Sequence, residues 1–349
     1  MGTSTNYKKL TKVAEYHSNS DLRIKHIKRP TINDREILVK MMACGICGTD
    51  VMEWYRKKSA PKILGHEMSG TIEEIGKKVK TFKVGDRVFV SHHVPCFDCY
   101  YCNNEKHSAC ISLHKGNFFP GGFSEYIRIP EENIKFGTFM LPETMSYNEA
   151  AMIEPMACAV AGQNMLGLKR NDTVLILGSG ISGLCHIMLA KLKGLNVIST
   201  DISDYRLNMA RNFGSDLSMH ANTINSDKIR NFNNGRLVEK VILCAGSQSA
   251  VDNAFEYIDR KGQILFFSIP PNNIQLPSSD LWRNEISLFF SYGASTQDID
   301  FTINLYNKGK IEFKKMITHE VELSNIHEGF KLVETANDSI KVVVNPDSV

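Results

Sequence analysis

The sequence predicts a two-domain α/β chain: one strand-rich domain and one domain with a doubly wound parallel sheet. Three observations carry this. At 349 residues the chain is longer than a single hydrophobic core usually grows. Its first 150 residues read as short strands punctuated by turns. From about residue 148 helical and strand patterns alternate, as they do in βαβ units.

In chain order, EILVKMM (36–42), GTIEEIG (70–76), DRVFVSHHV (86–94) and SEYIRIP (124–130) read as strands. The stretch NEAAMIEPMACAVAGQNMLGL (148–168) reads as helix. TVLIL (173–177), NVIST (196–200), KVILCA (240–245), QILFFSI (263–269) and SLFFSY (287–292) read as the parallel strands. Between the first two lies ISGLCHIMLAKLK, whose Ile181, Leu184, Met188 and Leu189 share one helical face. After Ser295 a mixed pattern returns and runs through KVVVNP (341–346).

The net charge is +3, and no block of five like charges appears, so no nucleic-acid partner is expected. The longest uncharged run, Thr173 to Ala190, is broken by glycines, a serine pair and a histidine, so no membrane span is expected there. Gly2 after Met1 superficially resembles a lipidation signal, but the hydroxyl residue is one position off. The opening lacks the apolar core of a secretory signal, and nine cysteines is an odd number. A reducing, cytoplasmic setting is expected, where clustered cysteines bind metal or act in catalysis.

TVLIL runs straight into Gly178-Ser179-Gly180-Ile181-Ser182-Gly183 and then a helix, the context a dinucleotide-binding loop requires. Gly178 serves the tight turn, Gly180 the approach of a pyrophosphate, and Gly183 the helix–strand contact, while Ile181 opens the helix. Asp201 ends the next strand, where a carboxylate binds ribose hydroxyls and repels a 2′-phosphate, so NAD is favoured. Arg206 keeps NADP as the alternative. Ala245 and Ile269, ending KVILCA and QILFFSI, are further expected cofactor contacts.

Two other stretches bear residues suited to a catalytic zinc, CGICGTD (44–50) and GHE (65–67). Such a site takes three protein ligands and keeps one position open. Cys47 and His66 are candidates, Glu154 in AMIEP is a third, and Glu67 is its rival. Cys96, Cys99, Cys102 and Cys110 stand two, two and seven residues apart. That spacing alone admits a nucleic-acid finger, a redox centre, a disulfide knot or a structural metal clip.

GICGTD (45–50), GHE (65–67), GTIEEIGKKVKTFKVGDRV (70–88), the four-cysteine lobe, GGFSEY (121–126), IEP (153–155), GSGISG (178–183) and IKVVV (340–344) follow one another in order. In these the chain resembles the zinc-dependent medium-chain dehydrogenases, in the branch of the sorbitol (polyol) and threonine dehydrogenases. The resemblance implies a GroES-like β-barrel catalytic domain from residues 1–155 and 296–349, with a structural-zinc lobe at 92–112. An inserted Rossmann NAD-binding domain spans 156–295. It implies a catalytic zinc on Cys47, His66 and Glu154, the last directly or through water, with Glu67 as neighbouring acid. Asp50 would orient His66, Cys44 would be a packed thiol, and Thr49 would take the alcohol proton. Cys96, Cys99, Cys102 and Cys110 would close a second, structural zinc, with His92, His93 and His107 outside it. The implied reaction is reversible oxidation of a secondary alcohol, with hydride passing to the nicotinamide of NAD.

One residue departs from the pattern. The family often carries a histidine three positions after Thr49 as the outer end of a proton relay, and this chain has Met52. Trp54, Phe118, Phe119, Tyr292 and Arg283 are candidate substrate contacts. A polyol, sugar, cyclitol or amino alcohol fits a polar zinc site best. The rivals are an NADP-preferring aldehyde or ketone reductase and a non-catalytic nucleotide-binding relative. SLFFSY, an apolar edge strand, points to a homodimer or homotetramer.

Overall fold

The computed structural model describes residues 9–113 and 118–348. The lipidation reading at Gly2 lies outside them. The chain divides into two compact units, Met1–Glu154 with Ser295–Val349, and Pro155–Ala294. The dividing points fall one residue before those expected from the resemblance, so Glu154 belongs to the first unit.

In the first unit, β1 (Leu10–Ser18), β2 (Asp21–Lys28) and β4 (Lys62–Ile63) form a small sheet in the order β2-β1-β4. The larger sheet holds β3 (Ile37–Gly45), β5 (Glu67–Ile75), β6 (Arg87–Ser91), β7 (Tyr126–Ile129), β8 (Thr138–Met140), β15 (Ile317–Glu322) and β16 (Lys341–Asn345). Its order is β15-β16-β3-β5-β6-β8, with β7 also paired to β3. Alternating apolar side chains of these strands, among them Val39, Met41, Met68, Ile72, Val88, Val90 and Val342, fill one core with Phe123 and Phe330. The strand from the C-terminal end of the chain thus completes a sheet begun by the N-terminal end.

The second unit is a parallel sheet of β9 (Thr173–Leu177), β10 (Asn196–Asp201), β11 (Leu217–His220), β12 (Val238–Leu243), β13 (Ile258–Phe266) and β14 (Ser287–Phe290). Its order, β11-β10-β9-β12-β13-β14, reverses direction between β9 and β12. That is the 3-2-1-4-5-6 order of a Rossmann sheet, whose ligands bind at the carboxyl ends of the strands near the reversal. β9 is buried along its whole length, as a central parallel strand should be.

Three of the differences from the expected elements have a visible cause. The helix read over 148–168 is two helices, Tyr147–Ala150 and Ile153–Asn164. Ser146 and Glu149 close a capping box on the first, and Pro155, tolerated only in a first turn, restarts the second. The strand read as 86–94 stops at Ser91, whose hydroxyl donates to the His93 carbonyl and turns the chain. β13 begins at Ile258 rather than 263, passing through a bulge where Lys261 has φ of 58°. Among the described residues no helix is long and apolar enough to cross a membrane.

Candidate active site

The register of the larger sheet assembles the first site. Glu67, the first residue of β5, stands opposite Gly45 at the end of β3 and opposite Ser91 at the end of β6. The residues just beyond those ends therefore converge: Cys47 after β3, His66 before β5, and His92 after β6. A Cys47 Sγ, a His66 ring nitrogen and a Glu67 carboxylate oxygen lie within 4.8 Å of one another. The His92 ring packs 4.8 Å from that of His66, and His93 stacks on His92 at 3.7 Å. Glu154 is outside this three-atom set, although its charge acts on both His66 and Lys341. Cys47, His66 and the alternate acid Glu67 are thus brought together, and Glu154 stands within electrostatic reach of them.

Hydrogen bonds tie the set together. The Thr49 hydroxyl donates to Cys47 Sγ at 3.3 Å. Asp50, fully buried, accepts the Cys47 N–H at 3.1 Å and stands 3.6 Å from His66 Nδ1. Burial alone would lower the His66 pKa, but the charges of Asp50 and Cys47 raise it to about 10. Cys44 is fully buried, and its thiol is pushed well up by that burial. A thiolate, an imidazole steadied by a carboxylate, and a further carboxylate form a donor set that suits zinc.

Sequence reasoning missed two residues here. Lys341, 1% exposed, forms an ion pair with Glu67 and donates to the Ile46 carbonyl at 3.3 Å. A charged residue opening the otherwise apolar run KVVVN was its only signal. Arg56 donates to the Thr49 carbonyl and hydroxyl, each at 2.9 Å, and nothing in the GICGTD motif foretold it.

The second cluster is Cys96, Cys99, Cys102 and Cys110, whose sulfurs all lie within 4.8 Å of one another. The Cys96–Cys102, Cys99–Cys102 and Cys96–Cys110 separations are 3.9, 3.6 and 3.6 Å. A tetrahedron of thiolates with bonds of about 2.3 Å to zinc has sulfurs about 3.8 Å apart, so the four fit one ion. All four are free thiols, and the backbone N–H of Cys102 holds the Cys99 thiol below its usual range. No position in the set is left for a substrate. His107 packs on Phe97 within the lobe.

In the second unit Gly178, with φ of 97°, turns the chain out of β9 and lies against Ala245. A side chain on Gly183 would collide with the Gly178 carbonyl, so the helix Ile181–Leu192 can pack this closely only on glycine. Gly180 caps that helix, leaving its first N–H groups for a phosphate. Asp201 accepts the Ser179 N–H at 2.8 Å and the Ser203 N–H at 3.0 Å, which fixes its carboxylate beside the loop. Arg206 reaches over Gly180, and its buried Nε finds no hydrogen-bond partner. A guanidinium beside a glycine loop suits a dinucleotide's phosphates. Ile269 lies beyond β13 and is 44% exposed.

The substrate candidates differ in burial. Phe118 is buried in the core of the first unit. Trp54, Phe119 and Tyr292 are partly exposed, and Arg283 is exposed on a short helix with no ion pair among the described residues.

Comparisons with known proteins identify the family. The family model described as alcohol dehydrogenase GroES-like domain matches residues 33–136, and that described as zinc-binding dehydrogenase matches residues 182–308. A D-arabitol-phosphate dehydrogenase from Enterococcus avium is 32% identical over 91% of this chain and 92% of its own. A sorbitol dehydrogenase from Bacillus subtilis is 29% identical over 96% of this chain and 97% of its own. A solved alcohol dehydrogenase from Escherichia coli CFT073, complexed with NADH, shares 27% identity with a TM-score of 0.85, covering 97% of this chain and 99% of that one. A zinc-binding dehydrogenase from Sinorhizobium meliloti 1021, bound to NADP, shares 25% with a TM-score of 0.83 over the same shares. The chain belongs to the zinc-dependent medium-chain dehydrogenases, in the branch of the polyol and threonine dehydrogenases.

Proposed function

We propose that this chain reversibly oxidises a secondary alcohol of a polyol, sugar, cyclitol or amino alcohol, using NAD and two zinc ions per subunit. The observation that carries this reading is the convergence of Cys47, His66 and Glu67 beside the Thr49 hydroxyl. Cys47 and His66 would hold the catalytic zinc, with Glu67 or Glu154 (directly or through water) as the third group. Cys96, Cys99, Cys102 and Cys110 would hold the structural one. When bound, zinc supplies a Lewis acid that lowers the alcohol's pKa, and NAD supplies the hydride-accepting carbon.

The chain's own residues do the rest. Thr49 takes the alcohol proton; Met52 cannot pass it on, so it leaves through water or another group. Asp50 steadies the His66 ring. Asp201, held by two backbone N–H groups, faces the ribose and disfavours a 2′-phosphate. The unbonded Arg206 Nε favours the second reading, an NADP-preferring reductase.

The partner we propose is a small molecule, with neither nucleic acid nor membrane, in a reducing cytoplasm that keeps the nine thiols free. A second copy would cover the outer edge of β14, where Phe290 is 62% exposed, giving a homodimer or homotetramer. The test is NAD reduction by zinc-loaded protein with polyols, sugar phosphates, cyclitols and L-threonine. Turnover of at least one, faster with NAD than NADP, is expected. No turnover overturns the assignment, and faster NADP turnover supports the second reading.

A further inference from the structure

Arg56 lies outside every motif the sequence offers, yet it touches two groups that adjoin the Cys47 centre. A single helical turn, Glu53–Arg56, starts at Met52, and the Arg56 N–H bonds back to the Met52 carbonyl at 3.0 Å. That turn folds the side chain over Thr49 and Asp50, where it is only 16% exposed. Its Nε donates to the Thr49 carbonyl at 2.9 Å, and one Nη donates to both the Thr49 hydroxyl at 2.9 Å and Asp50 Oδ1 at 3.3 Å. Asp50 Oδ1 is the same oxygen that faces His66 Nδ1.

We infer that Arg56 is a positioning residue of the Cys47 centre, an assignment that rests on the dehydrogenase reading above. A hydroxyl that accepts from a guanidinium must aim its own proton elsewhere, and Thr49 aims it at Cys47 Sγ. Arg56 thus fixes the orientation of the Thr49 hydroxyl, whose remaining lone pair is the one that would accept the alcohol proton. The same fork pins Asp50, and through it the His66 ring. Arg56 does not replace the missing relay histidine, because a guanidinium gives up no proton at accessible pH. Lysine, a single point charge, holds one of the acceptors but not the pair.

The test compares Arg56→Met and Arg56→Lys with wild type in the full chain. The first readout is the free zinc needed to protect Cys47 from iodoacetamide, followed by mass spectrometry of the Cys47 peptide. The second is the split between kcat and KM for the alcohol at saturating zinc. Arg56→Met should need about 10- to 100-fold more zinc, as loss of groups that orient metal ligands does. Its kcat should fall at least about tenfold with KM within about twofold, because an interaction made chiefly in the transition state is lost. Arg56→Lys should recover part of both. Wild-type Cys47 protection in Arg56→Met overturns the assignment, as does a loss that tracks only a fall in Tm and that lysine does not relieve. If wild type oxidises none of the alcohols, the proposed function fails, while Cys47 protection still judges Arg56.

Discussion

Lys341 and Glu67 form an ion pair in which each side chain is only 1% exposed, and Gly45 lies directly against it. The pair links the last strand of the chain to the strand that begins the Cys47, His66 and Glu67 cluster. Burial works against the charge on Lys341, but Glu67, Cys47 and Glu154 together raise its pKa. In the zinc-free chain, removing one partner strands the other as an uncompensated buried charge. Lys341→Met should therefore lose about 3–5 kcal/mol of stability in denaturant unfolding, and Lys341→Arg less. A side chain on Gly45 would run into Glu67 and the Lys341 stem, so Gly45→Ala should destabilise the same region.

The four-cysteine lobe has its own signature. Cys102 is buried and contacts both Cys96 and Cys99. Cys102→Ser should lose one zinc per chain by elemental analysis and lower Tm, while Cys47 remains protectable by the remaining zinc. Unchanged zinc content and Tm would remove the structural-zinc reading.

At the glycine loop, Asp201→Ala removes the acceptor of the Ser179 and Ser203 N–H groups together with the charge proposed to face the ribose. KM for NAD should rise about tenfold, equivalent to roughly 1.4 kcal/mol, while KM for NADP stays level or falls. An unchanged NAD-to-NADP ratio would separate Asp201 from cofactor choice.

Within the second unit, His186 is fully buried, and burial together with the charge of Lys193 lowers its pKa from 6.5 to about 3. The unfolded chain takes up a proton near pH 6.5, whereas the folded chain does so only near 3. The stability present above pH 6.5 is therefore lost as pH falls through that window. Over it, wild type should lose stability more steeply than His186→Gln, by up to about 1.4 kcal/mol per pH unit. Parallel curves would contradict this.

How much of this was legible follows from where each signal lies. TVLIL was read to its exact ends because a central parallel strand is apolar throughout and a glycine turn closes it. β13 was cut short because its first half, IDRKG, is polar and bulged, which hides the strand from an apolar-run criterion. Cys47 and His66 stood out through their motifs. That Glu67 joins them at the sheet end did not, because it depends on which residue faces Gly45 across β3 and β5, a matter of register. Lys341 lies 274 residues from Glu67 and Arg56 lies beyond the motif, so neither contact has a local pattern.

The most direct test of the central claim is alcohol-dependent NAD reduction by Cys47→Ser beside wild type, with zinc counted in both. We expect wild type to turn over at least one alcohol of the panel. We expect Cys47→Ser to lose one zinc and nearly all turnover while keeping the zinc of the Cys96–Cys110 lobe. A Cys47→Ser protein that retains wild-type turnover would contradict the account.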